Sequence, residues 1–287
     1  MGKVLQVENI VTTTWVHDEL KQTKKDYAII DVRFNLADPT AGEKAFAKGH
    51  MPGAVYVDLE KDLSSAQTKH GGRHPLPDFK ELAEKLGSIG IGNDTNVIVY
   101  DDQGGMFASR FWWLLNRLGH SKVAVLDGGF SKWVSDGYEV TDSIEKKTPK
   151  PFALKENGDW ALLEASDVKE KLNDPNTIII DSREPNRYLG LEEPIDPIAG
   201  HIPGAVNYFW KNVLNEDGLW KDSDEVKRHF ADVDRSKEVI VYCGSGVSAC
   251  PNILALKRAG YSDVRLYAGS WSDWITHKDY PVEGKKQ

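Results

Sequence analysis

Short apolar runs alternate along this chain with longer segments whose apolar residues recur at helical spacing. IIDV (29–32), AVYV (54–57), VIVY (97–100) and VAVL (123–126) are strand candidates. Their lack of polar interruption suits strands covered on both faces. PDFKELAEKLGSIG (77–90) is amphipathic and ends at glycine. MFASRFWWLLNRLG (106–119) and ACPNILALKRAG (249–260) each follow a strand candidate and also end at glycine. Strands joined by helices predict an α/β class with a mostly parallel sheet flanked by helices on both faces.

The pattern is written twice. YAIIDVR (27–33) matches TIIIDSR (177–183), and KGHMPGAV (48–55) matches AGHIPGAV (199–206). NVIVYD (96–101) matches EVIVYC (238–243), and LGHSKVAVLDGGFSKW (118–133) matches AGYSDVRLYAGSWSDW (259–274). The offset falls by about nine residues between the second and third blocks, so the first half carries an insertion near SSAQTKHGGRHPLPD (64–78). Two domain-sized copies in tandem follow, 1–140 and 159–287. They are joined by a charged, proline-containing linker at 141–158.

Composition narrows the function classes. The chain has 287 residues, 44 acidic and 36 basic, for a formal charge of -8. This balance gives no footprint for nucleic acid. No apolar stretch approaches a membrane span, and MGKVLQVENI has no leader-like apolar core, so a cytoplasmic location is expected. Two cysteines exclude a disulfide framework and a four-cysteine zinc site. DQGG at 102–105 lacks dinucleotide-binding spacing. No cofactor or metal is expected.

One of the two cysteines carries the candidate chemistry. Cys243 follows a strand run and opens CGSGVSAC (243–250). Ligands of open α/β sheets sit at such carboxyl ends. Gly244 and Gly246 free the loop to turn amide N–H groups onto the sulfur, and the following helix adds its positive end. Both favour thiolate. Ser245 and Ser248 add hydroxyl donors, and Val247 completes the loop. Cys250, in an apolar helix, reads as core. An amide-cradled thiolate suits cysteine phosphatases or sulfur transfer. The phosphatase clamp needs an arginine six residues on, where Ala249 stands. Sulfur transfer through a persulfide fits.

With paired GHMPGAV and GHIPGAV, DSREPNRYLG (181–190), CGSGVSAC and DVRLYAGSWSDW (263–274), the chain resembles the two-domain rhodanese and 3-mercaptopyruvate sulfurtransferases along nearly its whole length. The resemblance implies two tandem rhodanese-like domains, the second catalytic and the first an inactive copy, with Asp101 where Cys243 stands. The implied reaction moves sulfane sulfur to a thiol, with thioredoxin a candidate, or to cyanide. Thiosulfate-preferring members carry cations after the cysteine, as in CRKGVT. The uncharged Gly244-Ser245 pair instead resembles the mercaptopyruvate type. Arg187 matches an arginine that reaches the donor anion. A second arginine of that type is missing, Asp196 falls near its place, and Arg73 is a candidate substitute. Ser245, His74 and Asp58 match the proposed proton relay. A thiosulfate donor, or a non-catalytic sulfur-carrier module, are the alternatives. Residues kept in both copies are assigned to the fold: His50 and His201, Asp31 and Asp181, Arg33 and Arg183, Trp133 and Trp274. Trp271, whose counterpart is Phe130, either walls the pocket or packs.

Overall fold

The computed structural model describes residues 9–22, 26–155 and 160–284. The readings that fall on residues 1–8, 156–159 and 285–287 lie outside them. Two compact units result. The first comprises the described residues of Met1–Ser65, Pro77–Asn157 and Glu216–Trp220. The second comprises those of Ala66–Leu76, Gly158–Asn215 and Lys221–Gln287. The insertion seen in the first half of the sequence therefore packs with the second unit.

In the first unit the elements run β1 (Ile10–Val11), α1 (Thr13–Gln22), β2 (Tyr27–Asp31), α2 (Ala41–Lys48), β3 (Ala54–Tyr56), α3 (Phe79–Ser88), β4 (Asn96–Tyr100), α4 (Met106–Arg117), β5 (Val123–Leu126) and α5 (Gly129–Ser135). The second runs β6 (Leu162–Leu163), α6 (Ala165–Glu170), β7 (Thr177–Asp181), α7 (Pro185–Tyr188), β8 (Val206–Asn207), α8 (Ser223–His229), β9 (Glu238–Tyr242), α9 (Cys250–Arg258), β10 (Val264–Tyr267) and α10 (Ser270–Trp274). The sheets share one order, β1-β5-β4-β2-β3 and β6-β10-β9-β7-β8, and every strand pair is parallel. The central strands β4 and β9 are buried almost throughout, as their continuous apolar sequences require. The two-residue edge strands β1 and β6 are too short to carry any period.

The residues written twice do the same work twice. Arg33 pairs with Asp31 and donates to the Gly49 carbonyl; Arg183 pairs with Asp181 and donates to the Gly200 carbonyl. Their guanidinium groups lie over the Phe130 and Trp271 rings, 4.0 and 4.7 Å from the centroids. Trp271 thus packs, fully buried, rather than lining an open wall. His50 bridges Thr141, and His201 bridges Glu283, through paired backbone hydrogen bonds. Buried charges persist in both copies because each ion pair is also hydrogen-bonded. Residues 141–155 are irregular but not loose. The amides of Lys150 and Lys155 donate to the carbonyls of Gly87 and Leu118.

Candidate functional site

Cys243 emerges from β9, the middle strand of its sheet, and is 1% exposed. The loop 243–249 intervenes before α9, which starts at Cys250, where the helical spacing of ACPNILALKRAG placed it. The Gly246 amide donates to Cys243 Sγ at 3.2 Å. Gly246 has φ 79°, and a Cβ there would fall 2.3 Å from the Ala268 carbonyl oxygen. Glycine is required on both counts. Ser270, itself at positive φ, accepts the Cys243 amide at 3.1 Å. The amides of Trp271 and Ser272 take the carbonyls of Cys243 and Gly244. The start of α10 thereby fixes the loop backbone. Val247 is buried, Ser248 is partly exposed, and Cys250 is buried in α9, its thiol donating to the Gly246 carbonyl at 3.5 Å.

The equivalent loop of the first unit shows what this turn can hold. Asp101, at the end of β4, accepts backbone N–H groups from Gln103, Gly105, Phe107 and Ala108 at 2.8–3.0 Å. Burial pushes its carboxyl pKa up, against the pull of those four donors. The loop is a nest that closes around a side-chain anion.

Residues 66–76 bring two candidates to the cysteine loop. His74 Nδ1 lies 2.8 Å from Ser245 Oγ, and both residues are buried. The Arg73 amide donates to Ser272 Oγ at 3.1 Å. Gly72, at φ 80°, presses so closely on Gly269 that a Cβ would stand 2.4 Å from its carbonyl oxygen. Arg73 and Arg187 converge over Gly244. A Cβ on that glycine would be 2.9 Å from Arg73 Nη2 and 3.6 Å from Arg187 Nη1.

Asp196 points at this pair. Its carboxylate accepts from Arg73 Nη1, and from Arg187 Nη2 at 3.0 Å. Burial raises its pKa, against the attraction of Arg73. Glu193, which the sequence reading did not single out, accepts from Arg187 Nε and Nη2 at 3.1 and 2.8 Å and from Arg183 Nη1 at 3.3 Å. Its signal was its place in the acidic cluster LEEPID (191–196), Glu193 standing six residues after Arg187. Asp58 lies in the first unit, where it accepts the amides of Glu60 and Lys61 and the Tyr56 hydroxyl.

Comparison with known proteins matches this repeated architecture to the rhodanese-like domain, over residues 12–136 and again over 164–277. The chain belongs to the rhodanese family. A probable 3-mercaptopyruvate sulfurtransferase of Pseudomonas aeruginosa is 41% identical over 265 residues, covering 91% of this chain and 93% of that protein. The rat thiosulfate sulfurtransferase is 34% identical over 276 residues, covering 93% and 91%. The solved structure of SseA from Escherichia coli, described as a 3-mercaptopyruvate sulfotransferase, superposes with a TM-score of 0.79 at 31% identity, covering 92% and 98%. Among the described residues, no helix is long and apolar enough to cross a membrane.

Proposed function

We propose that this protein transfers sulfane sulfur from 3-mercaptopyruvate to a thiol or cyanide acceptor through a persulfide on Cys243. The Cys243 thiolate attacks the donor sulfur. The donor C–S bond breaks, its electron pair leaves as the enolate of pyruvate, and the proton shed by the donor thiol returns to that carbon. The persulfide's outer sulfur then passes to the acceptor, regenerating the thiolate. Gly246 N–H supports charge on sulfur. Relatives are named for both donors, so the choice rests on the site.

The observation that carries the choice is the Ser245–His74 pair at 2.8 Å. A carbon leaving group must be protonated, and a serine hydroxyl backed by imidazole supplies that proton. Thiosulfate leaves as sulfite and needs no such transfer. Arg73 and Arg187 hold the donor carboxylate in this reading, with guanidinium forks suited to it. Arg73 reaches the place where a side chain at position 244 would start. It supplies the cation that thiosulfate-preferring loops carry in sequence. The relay proposed here runs through Ser245 and His74, with Asp58 as its third member. That Asp101 replaces the nucleophile in the first copy supports assigning turnover to the second alone. Thioredoxin is a candidate acceptor within the thiol class.

The two arginines also favour a second reading, with thiosulfate as donor. Measuring kcat/KM for both donors at one pH decides. A clear preference for 3-mercaptopyruvate is expected; a dominant thiosulfate activity overturns the donor assignment.

A further inference from the structure

Around the end of α10, three metal-ligating side chains of the second unit come together. One ligand atom each from His70, Asp273 and His277 lies within 4.8 Å of the others. Asp273 Oδ1 is 3.5 Å from His277 Nε2 and 4.0 Å from His70 Nδ1. The imidazoles of His70 and His277 stack, with centroids 4.4 Å apart.

The carboxylate is held as a ligand would be. Asp273 is 3% exposed. The Gly71 amide donates to its Oδ1 at 2.7 Å, and the Tyr267 hydroxyl donates to its Oδ2 at 2.8 Å. Outer contacts of this kind fix a metal ligand's orientation. His277 adds an independent sign. Its Nε2 is buried and has no hydrogen-bond partner among the described residues, yet it faces the carboxylate. A buried polar atom in this state costs stability unless something fills its lone pair or takes its proton. His70 is the adaptable member, its side chain 45% exposed. Its Nδ1 lies 2.7 Å from Thr276 Oγ1, whose own hydrogen goes to the Asp273 carbonyl. A shift of the exposed ring, with its proton moved to Nε2, presents Nδ1 to an ion. Two imidazoles and one carboxylate are a donor set for a divalent first-row ion, zinc among them, with a position left for water.

We propose that His70, Asp273 and His277 form a binding site for a divalent first-row transition metal. Such an ion bridges the 66–76 segment to the end of α10. His70 lies three residues before Arg73 and four before His74, so the ion restrains the segment that carries both to the cysteine loop. The site does not depend on the sulfur-transfer reading.

The test uses the full chain with Cys243→Ser and Cys250→Ser, which removes both thiolates as competing soft ligands. Zinc titration by calorimetry is expected to give one equivalent. Cobalt in its place should give visible bands without thiolate charge transfer. His70→Gln and His277→Gln should each weaken binding by more than ~10-fold, the least effect expected when even an outer partner is lost. His70→Gln, at an exposed ring, keeps the test available if His277→Gln fails to fold. Zinc should also slow hydrogen exchange at the Gly71–His74 amides. No binding, or binding indifferent to His70→Gln, overturns the site; binding without added protection overturns the restraint.

Discussion

At the residue scale, the site turns on how few charges remain uncompensated. Arg73 and Arg187 face Asp196, and Arg187 also faces Glu193. Two arginines meet two carboxylates, so the site is nearly neutral in sum. A monoanionic carboxylate loses less than dianionic thiosulfate when an acid stays between the two arginines. Asp196→Asn removes one charge without changing shape. It should raise kcat/KM for thiosulfate relative to 3-mercaptopyruvate by ~10-fold, a small fraction of the bare Coulomb interaction at this range. An unchanged ratio would show that Asp196 does not set donor choice. Ser245→Ala should lower kcat with 3-mercaptopyruvate by ~10²-fold or more, the usual contribution of a positioned proton donor. Activity with thiosulfate should fall far less. Equal losses with both donors would make Ser245 part of the cradle alone. Cys243, Ser245 and Arg187 could be named from motifs in sequence. The Asp196 bond to Arg73 joins residues far apart in the chain, and no spacing rule reaches that distance.

At the element scale, the cysteine loop exists because α10 and β10 leave it one course. Gly246 is pinned under the Ala268 carbonyl at positive φ. Gly246→Ala adds both a clash and a left-handed strain, and should cost more than ~1 kcal/mol in urea unfolding. Activity should fall with it, since the amide that meets Sγ moves. A stable, active Gly246→Ala protein would contradict this account of the loop. The strands and long helices were legible because their apolar residues are continuous or helically spaced. The edge strands β1 and β6 were not, since two residues have no period. Pro251, which fits the first turn of a helix, marks the start of α9 close to where the apolar spacing placed it.

At the scale of the whole molecule, the duplication was the clearest message of the sequence. Its break was the most useful part. The inserted stretch is where residues 66–76 leave their own half and pack with the second unit, carrying Arg73 and His74. Sequence showed the extra length but could not show which unit received it. Stability should also depend on pH through a residue of the first unit. His120 is 1% exposed and stacks on Phe152, and burial holds its pKa below the ordinary value. The folded form resists a proton that the unfolded chain accepts. The stabilisation is therefore present above the unfolded pKa of about 6.5 and is lost as pH falls below it. Tm should drop between pH 7 and 5, and His120→Phe should flatten that slope. A slope unchanged in the variant would assign acid sensitivity elsewhere.

Sulfur carried on Cys243 is the claim on which the rest depends. Intact-mass measurement after brief treatment with 3-mercaptopyruvate, with excess donor removed, addresses it directly. The account predicts a gain of one sulfur atom that vanishes on adding a thiol acceptor and never forms in Cys243→Ser. No gain in the native chain, or an equal gain in Cys243→Ser, would contradict it.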